Sequence, residues 1–286
     1  MLDSQCPFAP GSRRLPFADV ETPLRPGVTT RLHYRERGSG PALVLLHSGW
    51  GYEAYPFTHQ LDALSARYRI VVPDRTGYGA SEPLDELPEG YHRLYALETL
   101  RLLDRLGIGP AVLWGHSDGA VVAAWTAIEA PVRVRGLVLE AFHFWRGKVA
   151  SIPFFETGAN RPEEFGEAKV AALRLDHGEG RWRGIVGAGA RAWLRIIARG
   201  RREGGDLYDA RLGEVRCPAL LLHGSHDPRS EPGEIEAARA ALPDATLEFL
   251  DTGHAPHSSA RMGGEATRIA ERFLARLPEA PRVASG

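Results

Sequence analysis

A polar segment interrupts an apolar run near the middle of the chain. The sequence GHSDG (residues 115–119) follows AVLW and precedes small apolar residues at helical spacing. The pattern Gly-x-Ser-x-Gly between a strand and a helix is typical of a sharp turn that exposes a nucleophilic serine hydroxyl. We therefore predict that Ser117 is a nucleophile. The backbone N–H of Asp118 would begin the helix, where it can stabilise developing negative charge.

A serine hydroxyl is a weak nucleophile, so this chemistry requires a histidine base and a carboxylate that orients the base. Where this turn occurs, the three residues follow the chain order serine, acid, histidine. Asp227 follows the buried run CPALLLHG, and His254 follows ATLEFLDTG. Both are predicted to lie on loops at the carboxyl edge of a parallel sheet, beside Ser117. The sequence therefore predicts a triad of Ser117, Asp227 and His254.

Two other residues are chemically suited to replace members of this triad. His257 follows His254 by three residues and is the alternative base. Glu140 ends another predicted strand and is the alternative acid, because a carboxylate there would reach the same histidine. His254 is favoured as the base because it directly follows Gly253 and lies closer to the strand end.

Strand-like and helix-like segments alternate along the chain, which predicts an α/β fold: a mainly parallel twisted sheet with helices on both faces. Early strands are predicted at about 15–22 and 29–37, and later ones at short apolar runs such as RIVVPD and VRGLVLEAF. Leucines recur at helical spacing from Leu94 to Leu106, and Gly107 is the predicted C-cap of that helix.

Residues 143–212 contain no buried apolar strand, and we predict that they form a helical cap inserted into a core of residues 1–142 and 213–286. Aromatic residues cluster in and just before this segment: Phe142, Phe144, Trp145, Phe154, Phe155, Trp182 and Trp193. They form either the internal core of the cap or the wall of a substrate pocket between cap and sheet. The candidate pocket residues are Trp50, Phe142, Phe144, Trp145 and Trp182.

Four motifs make the chain resemble the α/β-hydrolase fold superfamily, from about residue 17 to 277: HSGWG (47–51), DRTGYGAS (74–81), GHSDGA (115–120), and HGSHD with the later GH. The resemblance implies cleavage of esters and related acyl bonds without a cofactor. It also implies an oxyanion-hole amide in the loop after the third strand. Gly49 is the first choice and Trp50 the second, because Ser48 stands where glycine is usual.

The expected activity is hydrolysis of carboxylic esters of small soluble substrates through an acyl-enzyme. Carbon–carbon bond hydrolysis, lactone opening, amide or peptide cleavage and acyl transfer to an alcohol or peroxide use the same residues, and the fold does not choose among them. Epoxide hydrolases need a nucleophilic aspartate where this chain has Ser117. An alternative of another class is a non-catalytic binding protein on the hydrolase fold.

The composition is that of a globular protein: 286 residues, 43% hydrophobic, 25% charged, with a net charge of −1. This charge indicates neither a nucleic-acid nor a membrane partner, and the oligomeric state stays open. Two cysteines, Cys6 and Cys217, are too few for a disulfide framework. We expect a cytoplasmic protein, because no signal peptide or run of about 18 apolar residues is evident.

No metal is expected either, because the sequence lacks the histidine and carboxylate spacing of a zinc site. Three further histidines lie at predicted strand ends near the triad, and they are expected to hydrogen-bond to loops. They are His47, His116 and His223.

Overall fold

A computed structural model describes residues 16–278; the remaining residues, including Cys6, lie outside it. The described chain contains eight strands: β1 Phe17–Glu21, β2 Thr29–Arg37, β3 Ala42–Leu46, β4 Arg69–Pro73, β5 Ala111–His116, β6 Val134–Glu140, β7 Ala219–Gly224 and β8 Thr246–Leu250. It also contains eight α-helices: α1 Thr58–Leu64, α2 Tyr91–Arg105, α3 Asp118–Glu129, α4 Ile152–Asn160, α5 Glu167–His177, α6 Trp182–Glu203, α7 Glu234–Ala241 and α8 Gly263–Leu274.

The strands form one sheet in the order β1-β2-β4-β3-β5-β6-β7-β8. Strands β1 and β2 are antiparallel to their neighbours. The other six strands, β3 to β8, run parallel to one another. The predicted mainly parallel sheet is therefore confirmed. The carboxyl ends of the parallel strands meet at one edge, where the loops after β3, β5, β6, β7 and β8 converge.

The apolar core has two layers, one on each face of the sheet. Successive side chains of β5 alternate between them, so that Leu113 packs with α2 and α3, while Val112 and Trp114 pack with α1 and α8. All residues of β5 and β7 are buried, because helices cover both faces of the central strands. The helices predicted on both faces are present.

Residues between β6 and β7 form helices α4, α5 and α6, and we call residues 143–212 the insertion. Helix α4 packs along the 22-residue helix α6, and a separate apolar cluster joins them to the loop after β3. Trp182 lies fully buried in that cluster beside Leu173 and Val186. Within residues 16–278, no helix combines the length and apolar composition needed to cross a membrane.

Candidate active site

Ser117 lies in the turn that joins β5 to α3, and its backbone is strained, with φ 55° and ψ −119°. Both flanking residues must be glycine because a side chain would not fit at either position. A Cβ atom at Gly115 would overlap the carbonyl oxygen of Gly119, and one at Gly119 would overlap that of Leu46. Because the strand, the turn and the helix pack this tightly, the Ser117 hydroxyl is held at the carboxyl edge of the sheet.

His254 and Asp227 converge on Ser117 from the loops after β8 and β7. His254 Nε2 lies 3.0 Å from Ser117 Oγ, and His254 Nδ1 lies 2.9 and 3.0 Å from the two carboxylate oxygens of Asp227. Burial acts to raise the pKa of Asp227, but the hydrogen bond and charge of His254 outweigh it, so the pKa is lowered. The ionised carboxylate then holds the proton of His254 on Nδ1 and leaves Nε2 free to accept one from Ser117.

Glu140 and His257, the alternative acid and base, pair with each other instead. His257 Nδ1 lies 2.6 Å from Glu140 Oε1, and His257 Nε2 lies 3.0 Å from the carbonyl oxygen of Tyr55. Trp114 Nε1 donates to the second carboxylate oxygen of Glu140 at 2.9 Å. Both nitrogens of His257 are engaged in a fully buried network, so neither is directed at Ser117.

Two backbone amides face the region where an oxyanion would form. The N–H of Asp118 opens helix α3, where first-turn amides have no intrahelical partner. Within residues 16–278 the N–H of Gly49 makes no hydrogen bond, whereas that of Trp50 donates to Ser48 Oγ at 3.3 Å. Arg75 positions this loop, because its guanidinium donates to the carbonyl oxygen of Ser48 at 2.7 Å. Gly49 is therefore the freer of the two predicted loop donors.

The carboxylate of Asp118 joins the turn at Ser117 to the insertion. Trp193 Nε1 of α6 donates to Asp118 Oδ1 at 2.9 Å, and the Tyr91 hydroxyl donates to Oδ2 at 3.0 Å. Burial acts to raise the pKa of Asp118, but His92 and the hydrogen-bond donors outweigh it, and the pKa falls to about 2. This buried anion anchors α6 beside the nucleophile, a contact that sequence spacing did not indicate.

His143 is a second histidine beside the nucleophile, and the sequence interpretation missed it. Its Nε2 lies 3.2 Å from Ser117 Oγ, and burial lowers its pKa well below the ordinary value. The serine hydroxyl has one proton, which is directed at His254, so neutral His143 must carry its proton on Nε2 and donate to Oγ. The available signal was its position just past β6, at the same sheet edge.

A cavity of about 40 Å³ lies beside Ser117, between the sheet edge and the insertion. That volume holds roughly three water molecules. The cavity is lined by Ser48, Gly49, Trp50, Tyr55, Ser117, Asp118, His143, Phe154, Phe155, Gly189, Trp193, Arg229 and His254. The site is thus small, and α4 and α6 form part of its wall through Phe154, Phe155, Gly189 and Trp193.

Comparison with known proteins shows which family the chain belongs to. Residues 43–264 match the model of the alpha/beta hydrolase family. The chain belongs to this family. The hydrolase is 32% identical to the magnesium-chelatase 30 kDa subunit of Rhodobacter capsulatus over 251 residues, which cover 78% of this chain and 84% of the relative.

Two further relatives are esterases by name. The hydrolase is 31% identical to the pimeloyl-[acyl-carrier protein] methyl ester esterase of Nitrosomonas europaea over 257 residues, covering 80% of this chain and 94% of the relative. A solved structure of a thermophilic esterase from Thermogutta terrifontis superposes with a TM-score of 0.67 at 24% identity, covering 91% of this chain and 98% of the other. The second likeness shows the shared fold.

Four of the five aromatic residues predicted to line the pocket of this hydrolase do not line the cavity; Trp50 does. Phe142 and Phe144 pack against Tyr208, with ring centroids 5.4 and 6.3 Å apart, because side chains on either side of His143 point away from it. Trp145 packs on Phe144, with ring centroids 4.7 Å apart. Trp182 is enclosed in the apolar cluster of the insertion, whereas Phe154, Phe155 and Trp193 of the same predicted aromatic cluster do line the cavity.

A larger cleft of about 580 Å³ runs between the start of α2 and α6. Its lining includes Trp125, Ile196 and several arginines, but none of the residues that touch the Ser117 hydroxyl. The Ser117 hydroxyl meets both His143 and His254 at the smaller cavity and not at this cleft.

His116, Glu140 and His257 form the one group within residues 16–278 whose donor atoms could surround a metal ion; they lie within 4.8 Å of one another. In the hydrolase these atoms already hydrogen-bond: His257 to Glu140 at 2.6 Å, and His116 Nε2 to the carbonyl oxygen of His254 at 2.9 Å. Neither contact reaches Ser117. The group supports the catalytic loop from below, as expected for histidines that hydrogen-bond to loops.

Proposed function

We propose that this hydrolase cleaves carboxylic esters of small substrates through an acyl-enzyme on Ser117. The observation that carries the proposal is the continuous hydrogen-bonded series from Asp227 through His254 to the Ser117 hydroxyl, with contacts of 2.9 and 3.0 Å. This arrangement activates a serine for attack on an acyl carbonyl. A non-catalytic binding protein would not need all three side chains in this hydrogen-bonded arrangement.

In the proposed mechanism, Ser117 Oγ attacks the ester carbonyl while His254 Nε2 accepts the hydroxyl proton. Asp227 stabilises the imidazolium that forms. The amides of Asp118 and Gly49 stabilise the oxyanion. His254 then protonates the departing alcohol as the carbon–oxygen bond breaks, which leaves the acyl group on Ser117.

A water molecule completes the reaction. His254 accepts a proton from this water as it attacks the acyl-enzyme, and then returns the proton to Ser117 Oγ as the acid departs. The Nε2–H of His143, 3.2 Å from the same oxygen, donates to Oγ as negative charge returns to it. The cycle requires no cofactor.

We further propose that the insertion acts as a cap that limits substrate size. It is tied to the loops of the site at several points. Trp193 donates to Asp118, and Asp176 accepts from the backbone N–H of Tyr52 at 2.6 Å. His177 Nε2 also donates to the carbonyl oxygen of Trp50 at 2.9 Å. These ties favour a closed cavity over an open lipid-binding groove.

Ester cleavage is preferred over the other reactions of this triad because the Nitrosomonas europaea relative is named a methyl ester esterase and covers 80% of this chain. Mammalian epoxide hydrolases also match, but over only 40% of the chain. Lactone, amide and carbon–carbon bond hydrolysis and acyl transfer remain the alternatives to be compared in a substrate screen.

The test combines covalent labelling with substitution of the nucleophile. A fluorophosphonate probe should label the wild-type chain and the control Ser225→Ala, whose hydroxyl lies outside the cavity and bonds a carbonyl at 3.2 Å. Ser117→Ala should lose labelling and about 10⁴-fold or more in kcat for methyl butyrate while it stays folded. If Ser117→Ala kept a tenth of the wild-type rate or still reacted with the probe, Ser117 would not be the nucleophile.

A further inference from the structure

Arg229 is a cavity residue whose charge the triad chemistry does not use. It follows Asp227 by two residues on the loop after β7, and its side chain lines the cavity together with Ser117 and His254. The guanidinium carbon lies 3.4 Å from the centroid of the Phe154 ring. The guanidinium plane is therefore held against an aromatic face at the wall of the site.

The guanidinium of Arg229 has no ion pair and no hydrogen bond with another residue in 16–278. Two other arginines near the site have at least one hydrogen-bonded partner: Arg75 donates to a carbonyl oxygen at 2.7 Å, and Arg35 bonds Asp74 at 2.5 Å. Burial lowers the pKa of Arg229 and the charge of Asp227 acts against this, so the cation is partly removed from water and has no hydrogen-bonded partner of its own.

Asp118, which lines the cavity, and Asp227, which lies behind His254, are already engaged. Both oxygens of Asp227 accept from His254, and one also accepts from the backbone N–H of Arg229 at 2.8 Å. The carboxylate of Asp118 accepts hydrogen bonds from Trp193 Nε1 and from the Tyr91 hydroxyl. The five donors of the guanidinium remain available to an anion that enters the cavity.

We propose that Arg229 binds a carboxylate carried by the substrate, so that the preferred esters are half-esters of short dicarboxylic acids. This inference rests on the proposed ester hydrolysis. A guanidinium presents parallel N–H groups that match the two oxygens of a carboxylate. Because Arg229 follows Asp227 by two residues, its charge is held close to the triad. Because the cavity holds roughly three water molecules, only a short carbon chain fits between ester and carboxylate.

The contact between Arg229 and Phe154 also has a simpler explanation, in which it only tethers the loop after β7 to α4. The two explanations differ in what they predict for charge. A tether affects charged and neutral substrates alike, because it acts through the position of the insertion. A binding residue affects only the substrate whose carboxylate it pairs with.

The experiment uses two esters of nearly equal size and shape that differ in charge, monomethyl succinate and methyl succinamate. The wild type should prefer monomethyl succinate in kcat/KM by about tenfold or more, because a charge-assisted hydrogen-bonded pair is worth that much. Arg229→Gln should remove this preference and change the rate for methyl succinamate by less than about threefold. Arg229→Lys should retain part of it, since an ammonium keeps the charge and loses the fork.

Arg181→Gln is the matched control. Arg181 donates to the carbonyl oxygens of Gly79 and Gly77 at 3.3 and 3.4 Å, so it joins the insertion to the core without lining the cavity. This variant should affect both esters by the same factor. Equal losses on both esters in Arg229→Gln, or a wild type with no preference for the charged ester, would overturn the proposal.

A binding measurement separates this inference from the proposed reaction. Succinate should bind to Ser117→Ala in calorimetry, and the double variant with Arg229→Gln should bind it about tenfold or more weakly. If the wild type hydrolysed neither ester and escaped the fluorophosphonate probe, ester hydrolysis would be wrong while the binding result still decided the role of Arg229. Equal binding by the two variants, or none by Ser117→Ala, would refute it.

Discussion

The cavity beside Ser117 sets a testable limit on acyl chain length. Its volume of about 40 Å³ holds roughly three water molecules, so a long acyl chain does not fit within it. The aromatic residues of the insertion favour apolar acyl groups of short to medium length, about two to eight carbons. The cavity restricts the optimum to the short end of that range, at about four carbons.

The expected size of the effect follows from apolar burial. Each added methylene that enters the cavity should contribute about 0.8 kcal/mol, which is about fourfold in kcat/KM. Methyl butyrate should therefore exceed methyl acetate by roughly 15-fold. Beyond the limit the chain must displace α4 or α6, and kcat/KM should fall.

Phe155→Ala should move this optimum. The Phe155 ring lines the cavity and stacks on Trp193, with ring centroids 5.3 Å apart and planes 9° from parallel. Removing the ring should enlarge the cavity and shift the best substrate by about two carbons or more. Trp182→Phe is the control, because it alters a fully buried aromatic residue of the insertion that does not touch the cavity.

The assay is kcat/KM for methyl esters from acetate to decanoate, followed by proton release, so that the leaving group stays small throughout. A rate that keeps climbing to decanoate in the wild type would refute the closed cavity. An optimum that Phe155→Ala leaves in place, or that Trp182→Phe moves by as much, would show that Phe155 does not limit the chain.

Asp227→Asn should lower kcat by about 10⁴-fold because it favours the wrong imidazole tautomer. Glu140→Gln should mainly reduce stability, measured by thermal unfolding. Equal losses of activity in the two variants would leave the acid unassigned. His254→Ala should be inactive, while the folded fraction of His257→Ala should retain turnover; the reverse result would move the base by three residues. kcat/KM should rise with pH to a plateau, since a histidine base must be unprotonated to accept the serine proton. The hydrogen bond and charge of His254 lower the pKa of Asp227 and favour its ionised form, so a flat profile would argue against a histidine base.

The sequence by itself determined the fold class and where its chemical groups lie along the chain. The turn at Ser117 was predictable because its requirement for Gly115 and Gly119 is local. Asp227 and His254 were predictable because each follows a buried strand, and parallel strands end at a common edge. These inferences depend on neighbours along the chain and on a topology that the strand and helix alternation already indicates.

Only the tertiary structure decided which side chains meet at the nucleophile and what surrounds them. Phe142, His143 and Phe144 are consecutive, yet only His143 points into the cavity, because successive side chains after β6 point to opposite sides. Trp193 reaches the site from α6, and Arg229 reaches it from the loop after β7. These two elements are distant from each other along the chain. Their convergence depends on how the insertion packs on the sheet edge, a contact between distant parts of the chain that no local pattern encodes.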